Sequence, residues 1–316
     1  MLLVVVDTEE EFDWKLGFDP KATSVTAITK IGRFQAVCDE FGIRPTYVID
    51  YPIASQKEGI DALRGIVESE RATLGAHLHP WVNPPIEEEV SARHSYPGNL
   101  ERDLEARKLR ALVEIIERNF GVRTTVYKAG RYGVGPNTSA LLEREGFDVD
   151  LSVYPRADLR DDGGPDYTRF GPEPFWFGES RRLLEIPVTA AYVGYLYRAG
   201  RLLHPFGLRP HMRWARLPGI LSRLGALERL CLSPEGMDAR HHRRLTLSLL
   251  RRGVRTFTFS FHSPSVDPGH TQYVRDEADL NRFLGTCRAF FEFFLGELNG
   301  EAMTPLEMRQ ALQEAP

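Results

Sequence analysis

Met1-Leu-Leu-Val-Val-Val-Asp7-Thr-Glu9-Glu10-Glu11-Phe-Asp13-Trp14 opens the chain, and the fold hangs on how it is read. Leu2 to Val6 is a short, unbroken, largely β-branched apolar run, the pattern of a fully buried strand. It passes directly into Asp7, Glu9, Glu10, Glu11 and Asp13. Carboxylates hung on the end of a buried strand are costly unless something positive stands beside them. Two readings follow: a metal and catalytic site at the C-terminal end of a central strand, or an acidic loop with solvated side chains.

Outward from this stretch, Ile28, Ile31, Phe34, Val37, Cys38 and Phe41 recur at helical spacing, and Gly42 is the stop. Pro45 to Asp50 reads as a second strand, again finishing on a carboxylate. A helix through Ile60, Leu63, Ile66 and Val67 follows, then a strand from Ala72 to His77 that passes into Leu78-His79-Pro80-Trp81. Pro80, Pro84 and Pro85 predict a loop up to Gly98. Asn99 is the expected cap of a helix whose apolar face includes Leu104, Leu112, Val113, Ile116 and Phe120. Further strands are expected at Thr124–Lys128, Phe147–Val153, Leu183–Ile186 and Thr256–Phe261, with residues 156–181 as a long surface loop. A long helix from about Asp276 to Leu298 and a short one end the chain.

Strands alternating with helices imply parallel pairing through right-handed crossovers. Asp7, Asp50, His77, Arg131, Asp150 and His262 each come just after a strand, where a (β/α) barrel carries its chemistry. The expected architecture is a single α/β barrel domain over residues 1–316 with an Arg-rich helical insertion at about 200–252. With 42% hydrophobic and 27% charged residues the composition is that of a globular protein. A net charge of −4 and a pI near 6.2 give no pull toward nucleic acid. Cys38, Cys231 and Cys287 form neither a disulfide framework nor a zinc ligand pattern. No apolar run is long enough to span a bilayer, and no basic region precedes Leu2, so the expected location is cytoplasmic.

His77 and His79 are spaced two apart, as are Asp7 and Glu9. In extended chain such pairs point to the same side, about 7 Å apart, close enough to share one ion. Two imidazoles and one or two carboxylates from strand ends suit zinc or a similar divalent ion in a hydrolytic site.

In their order along the chain these motifs resemble the polysaccharide deacetylase superfamily (NodB-homology domain, carbohydrate esterase family 4). The opening Asp-Thr-Glu-Glu-Glu-Phe-Asp-Trp is similar to its WalW-type branch. The likeness covers roughly residues 1–155 and 254–295. It implies a distorted (β/α)7 barrel that hydrolyses C–N amide bonds, usually N-acetyl groups on amino sugars, with a divalent metal ion, zinc being the expected one. Residue by residue, it implies Asp7 as the base, Glu9 with His77 and His79 as metal ligands, and His262 as general acid in Ser260-Phe261-His262. Arg131 would orient the base, and the backbone N–H of Tyr132 would face the developing oxyanion. Trp14 and Trp81 are read either as lining a sugar subsite or as packing the barrel rim, while Glu10 and Glu11 fall back to rim or capping positions. The chain departs from the family pattern at Thr8, which separates two carboxylates normally adjacent, and in a histidine spacing of two instead of four.

The expected partner is a carbohydrate or small amide substrate. Some members of the superfamily open ureides or cyclic imides, and a catalytically inactive carbohydrate-binding homologue is the reading outside enzymes. Residues 201–252 carry eleven arginines, no lysine, and only Glu228, Glu235 and Asp238 as acids. This insert reads either as a helical cap with a solvated basic face or as a weak contact to an anionic membrane.

Overall fold

The structure, a computed structural model, describes residues 1–12, 17–200 and 217–314. Trp14 therefore lies outside the described residues. In chain order the elements that build the framework are β1 (Leu2–Thr8), α1 (Gly32–Glu40), β2 (Thr46–Ile49), α2 (Tyr51–Ser55), α3 (Lys57–Glu68) and β3 (Thr73–Leu78). Next come α4 (Arg102–Phe120), β4 (Val126–Ala129), α5 (Thr138–Glu145), β5 (Val149–Asp150), β6 (Phe175–Phe177), β7 (Leu183–Glu185) and β8 (Ala190–Val193). The chain ends with α6 (Leu217–Arg223), β9 (Glu228–Cys231), α7 (Ala239–Leu250), β10 (Phe257–His262), α8 (Glu277–Phe291) and α9 (Pro305–Glu314).

One curled sheet of eight strands runs β10-β1-β2-β3-β4-β5-β7-β6, with only the β6–β7 pair antiparallel. Seven parallel strands match the expected count, but no strand ladder joins β7 to β10. Pro187 follows β7 and has no N–H to give to such a ladder. The seam is bridged instead by single residues: the Thr258 N–H donates to Thr189 Oγ1 at 2.8 Å and the Ser260 N–H to the Leu232 carbonyl at 3.1 Å. The segment 156–181, expected as loop, carries β6 near its end. The helix expected to start at Asn99 begins at Arg102, because Pro97–Asn99 forms a separate 3-10 turn.

Of the segment 200–252, the structure describes residue 200 and residues 217–252. Its described part holds α6, the strand β9 paired with β8, and α7, which packs on α8. His242 of α7 sits edge-on to Phe259 and Phe290, each at 5.5 Å, so this helix belongs to the layer around the sheet.

Strand parity explains where the chemistry lies. Leu3 and Val5 point into the barrel with Val48, Val126, Val149, Leu151, Leu184 and Ile186, and Met308 of α9 closes this small core. Leu2, Val4 and Val6 face the helices instead. Because side chains alternate along a strand, the next inward residue of β1 is Asp7. The same alternation puts Lys128 above Val126 and aims His77 inward between outward Ala76 and Leu78. A polar layer thus sits on an apolar floor at the strands' C-terminal ends.

Candidate metal and active site

In the strand register Asp7 lies beside His262 and His77 beside Lys128. Asp7 is 4% exposed. Lys128 Nζ donates to both of its oxygens, at 2.6 and 2.7 Å, and His262 Nε2 is 3.8 Å from Oδ2. Burial alone would raise the Asp7 carboxyl. The charges of Lys128, His77 and His262 outweigh it and hold Asp7 below its ordinary value.

Three acceptor atoms converge next to this pair. His77 Nε2 and His79 Nε2 are 3.0 Å apart, and Glu9 Oε2 is 3.5 and 3.4 Å from them. The other ring nitrogens define the tautomers. His77 Nδ1 is 3.0 Å from the Lys128 carbonyl, which can only accept, so Nδ1 carries the proton. His79 Nδ1 is 2.8 Å from Glu10 Oε2. Glu10 also accepts from Trp81 Nε1 at 2.8 Å. Burial raises Glu10 to about 7 and Asp50 well above its ordinary value, and the Glu10 carboxyl oxygen is the acceptor for a proton on His79 Nδ1. Both Nε2 lone pairs and a Glu9 oxygen then face one point. Without a cation that is mutual repulsion. With one it is a ligand set, since donor atoms on a tetrahedral ion with bonds of about 2.0 Å lie about 3.3 Å apart. Anchoring of each ligating imidazole through its second nitrogen is the usual companion of such a site. Burial lowers His79, and Glu9, despite burial, is lowered by His262, His77 and His79. Gly130 leaves the room this needs: a Cβ there would fall 2.5 Å from His79 Cδ2.

His262 is held from the far side. Its Nδ1 is 2.7 Å from Glu235 Oε2, and its backbone N–H donates to Glu235 Oε1 at 3.2 Å. Ser265 Oγ donates to the same Oε1 at 2.6 Å. Burial would lower the imidazole, but Glu235, Glu9 and Asp7 outweigh it and raise it to about 10. His262 is protonated at neutral pH.

These groups line a cavity of about 330 Å3 that also meets Phe12, Tyr96, Tyr132, Tyr154, Cys231 and Tyr273. The expected residues Asp7, Glu9, His77, His79 and His262 come together here. Arg131 does not reach Asp7. It and Tyr132 both adopt left-handed backbone, with φ of 54° and 60°, and the Arg131 guanidinium turns to Ser95 Oγ at 2.6 Å and Asp162 at 2.9 Å. It stacks on Tyr96 at 4.2 Å. Tyr132 lines the cavity, its ring 4.7 Å from Tyr154. Trp81 is 2% exposed and stacks on His79 at 4.4 Å while still bordering the cavity. Glu10 is not at the rim but fully buried, whereas Glu11 does cap, accepting from Ser24, Thr26 and the Ala27 N–H.

Two residues escaped sequence reasoning. Lys128 was open to it, because strand alternation from Val126 aims it inward at a strand end. Glu235 was not: it lies in a loop 27 positions before His262, with no periodic pattern around it.

No family model matches the sequence, and no curated protein matches it. Solved structures match in fold. A Mycobacterium smegmatis protein described as a polysaccharide deacetylase superposes with TM-score 0.57 at 15% identity, covering 99% of this chain and 92% of the other. A Pseudomonas aeruginosa protein of the same description gives 0.54 at 11% identity, over 100% and 91%. A GH57 branching enzyme from Thermococcus kodakaraensis gives 0.51 at 13% identity, over 100% of this chain and 71% of the other. The chain has the α/β fold of the polysaccharide deacetylases. Because that fold is shared with other chemistry, function has to be argued from the site.

Proposed function

We propose that this protein is a metal-dependent hydrolase of non-peptide amide bonds within the polysaccharide deacetylase superfamily, removing the N-acetyl group from an amino sugar or glycan precursor. The observation that carries this reading is the convergence of Glu9 Oε2, His77 Nε2 and His79 Nε2 beside the Asp7–Lys128 pair and the Glu235-held His262. Residues 1–316 are read as one catalytic domain.

Glu9, His77 and His79 would hold the divalent ion, zinc by the chemistry of the donors, which supplies carbonyl polarisation and a more acidic water when bound. Asp7 is ionised at neutral pH and takes the proton of the attacking water. Lys128 fixes both Asp7 oxygens, so the base has one orientation. His262 presents Nε2–H to the cavity and gives its proton to the departing amine, while Glu235 keeps Nδ1 protonated and the ring aligned. The Tyr132 backbone N–H is assigned to the developing oxyanion. Tyr273, 42% exposed, and Tyr154 offer ring faces to a sugar. Arg131, contrary to its expected role, shapes the wall through Ser95 and Asp162.

The test is acetate release from a panel of N-acetylated sugars by zinc-loaded protein, with cyclic imides and ureides alongside. Release by the wild type, lowered on the order of 100- to 10,000-fold in Asp7→Asn and in His262→Gln, is expected. Turnover that is the same in Asp7→Asn would refute the assignment. Hydrolysis of imides and not of acetylated sugars would move the substrate class while leaving the residue roles in place.

A further inference from the structure

We propose that His242 is a positioning residue for the general acid: it fixes the loop after β9 so that Glu235 reaches His262. The inference rests on the hydrolase reading above, in which His262 protonates the leaving amine.

His242 lies on α7, is 0% exposed and is not among the described residues that border the cavity. Its Nε2 is 2.8 Å from the Ser233 carbonyl, which can only accept, so Nε2 carries the proton. Nδ1 is buried without a partner among the described residues. Burial lowers the imidazole to about 4, so the ring is neutral at neutral pH. Its edges meet Phe259 of β10 and Phe290 of α8. An apolar side chain could fill that slot without desolvating two ring nitrogens. The bond to Ser233 is what an apolar residue could not supply.

The loop held in this way is short and tied on both sides. The Leu232 carbonyl accepts from the Ser260 N–H at 3.1 Å, and the next carbonyl, that of Ser233, accepts from His242. One tie runs to the strand that ends in His262, the other to the helix behind it. Ser233 Oγ in turn accepts from the Glu235 N–H at 3.3 Å. Beyond Glu235, Gly236 turns with φ of 78°, and Asp238 caps α7 by accepting from the Arg240 and His241 N–H groups. Between these anchors the Glu235 carboxylate meets both Nδ1 and the backbone N–H of His262. Releasing the Ser233 carbonyl removes the anchor two residues before Glu235. The carboxylate is then free to swing toward the cavity, which Ser233 and Glu235 both border.

The test compares His242→Gln with His242→Asn in the full chain loaded with zinc. Both bury an amide, but glutamine carries its NH2 at the reach of Nε2, and asparagine carries it one bond short. On an acetylated sugar, kcat is expected to fall about 100-fold in His242→Asn, as for a displacement of about 1 Å, with KM unchanged. Most of that loss is recovered in His242→Gln. Because His242 acts through Glu235, His242→Asn adds no further loss to Glu235→Gln. A readout that needs no turnover is the downfield proton resonance of His262 Nδ1–H, assigned by its absence in His262→Gln. It is expected in the wild type and in His242→Gln, and lost to exchange in His242→Asn. If no substrate releases acetate, the deacetylase reading fails, and this resonance still decides whether His242 holds Glu235. Should His242→Asn not fold, His242→Leu, which fills the aromatic slot and donates nothing, takes its place under the same criteria. Wild-type kcat in the folded variant, losses that add in the double variant, a His242→Gln no better than His242→Asn, or a His262 resonance that persists overturns the proposal.

Discussion

Lys128 and Asp7 form a buried ion pair. Removing one partner of such a pair leaves an uncompensated charge, so Lys128→Met is expected to cost about 3–5 kcal/mol in urea unfolding. A loss below 1 kcal/mol would mean that Asp7 is otherwise compensated. Glu10 acts on His79 without touching the proposed ion: it accepts from Nδ1 and so leaves Nε2 as the donor atom. Glu10→Gln should weaken zinc affinity about 10- to 100-fold in a chelator competition titration, with the fold intact. Unchanged affinity would reduce Glu10 to packing. Glu235 raises His262, so Glu235→Gln should move the alkaline limb of kcat/KM to lower pH. In stability terms the raised His262 contributes fully below its ordinary value of 6.5, and the contribution is lost as pH rises through about 10.

Strand alternation is what made half of this site legible in the sequence. It placed Asp7 and Glu9 on one side of β1 and its extension, and His77 and His79 on one side of β3. The left-handed turn after β4 was not legible, because Arg131 and Tyr132 are not glycines and nothing in their type announces positive φ. That turn carries Arg131 to the wall and leaves Lys128, one alternation back, at Asp7. Gly130→Ala tests the same segment: its Cβ would displace His79, so zinc affinity should fall even though no ligand is changed. β5 and β7 carry a second buried pair, Asp150 and Glu185, with Ser152 donating to Asp150. Burial raises Asp150 to about 6 and Glu185 well above its ordinary value. The folded state therefore keeps protons that the unfolded chain releases, and stability falls as pH rises from the ordinary carboxyl range through about 6. Glu185→Gln, which can still accept from the Val153 N–H, should flatten that slope in urea titrations across the window. A slope equal to wild type would contradict it.

The barrel as a whole gathers residues that the chain keeps far apart: Asp7 meets Lys128, separated by 121 positions, and Glu9 meets Ser263, separated by 254. The apolar floor of Leu3, Val5, Val48 and Val126 makes that gathering possible, and the α/β alternation that builds it was readable from the start. Its seam was not, since single hydrogen bonds across Thr189 and Leu232 leave no periodic trace. Everything proposed for the site depends on whether Glu9, His77 and His79 hold an ion. The direct measurement is the metal content of protein purified without chelator, wild type against His79→Ala, with circular dichroism to show that both are folded. One divalent ion per chain in the wild type and none in the variant is the predicted result. A folded wild type without stoichiometric metal even after incubation with zinc, or a variant that keeps its ion, would contradict it.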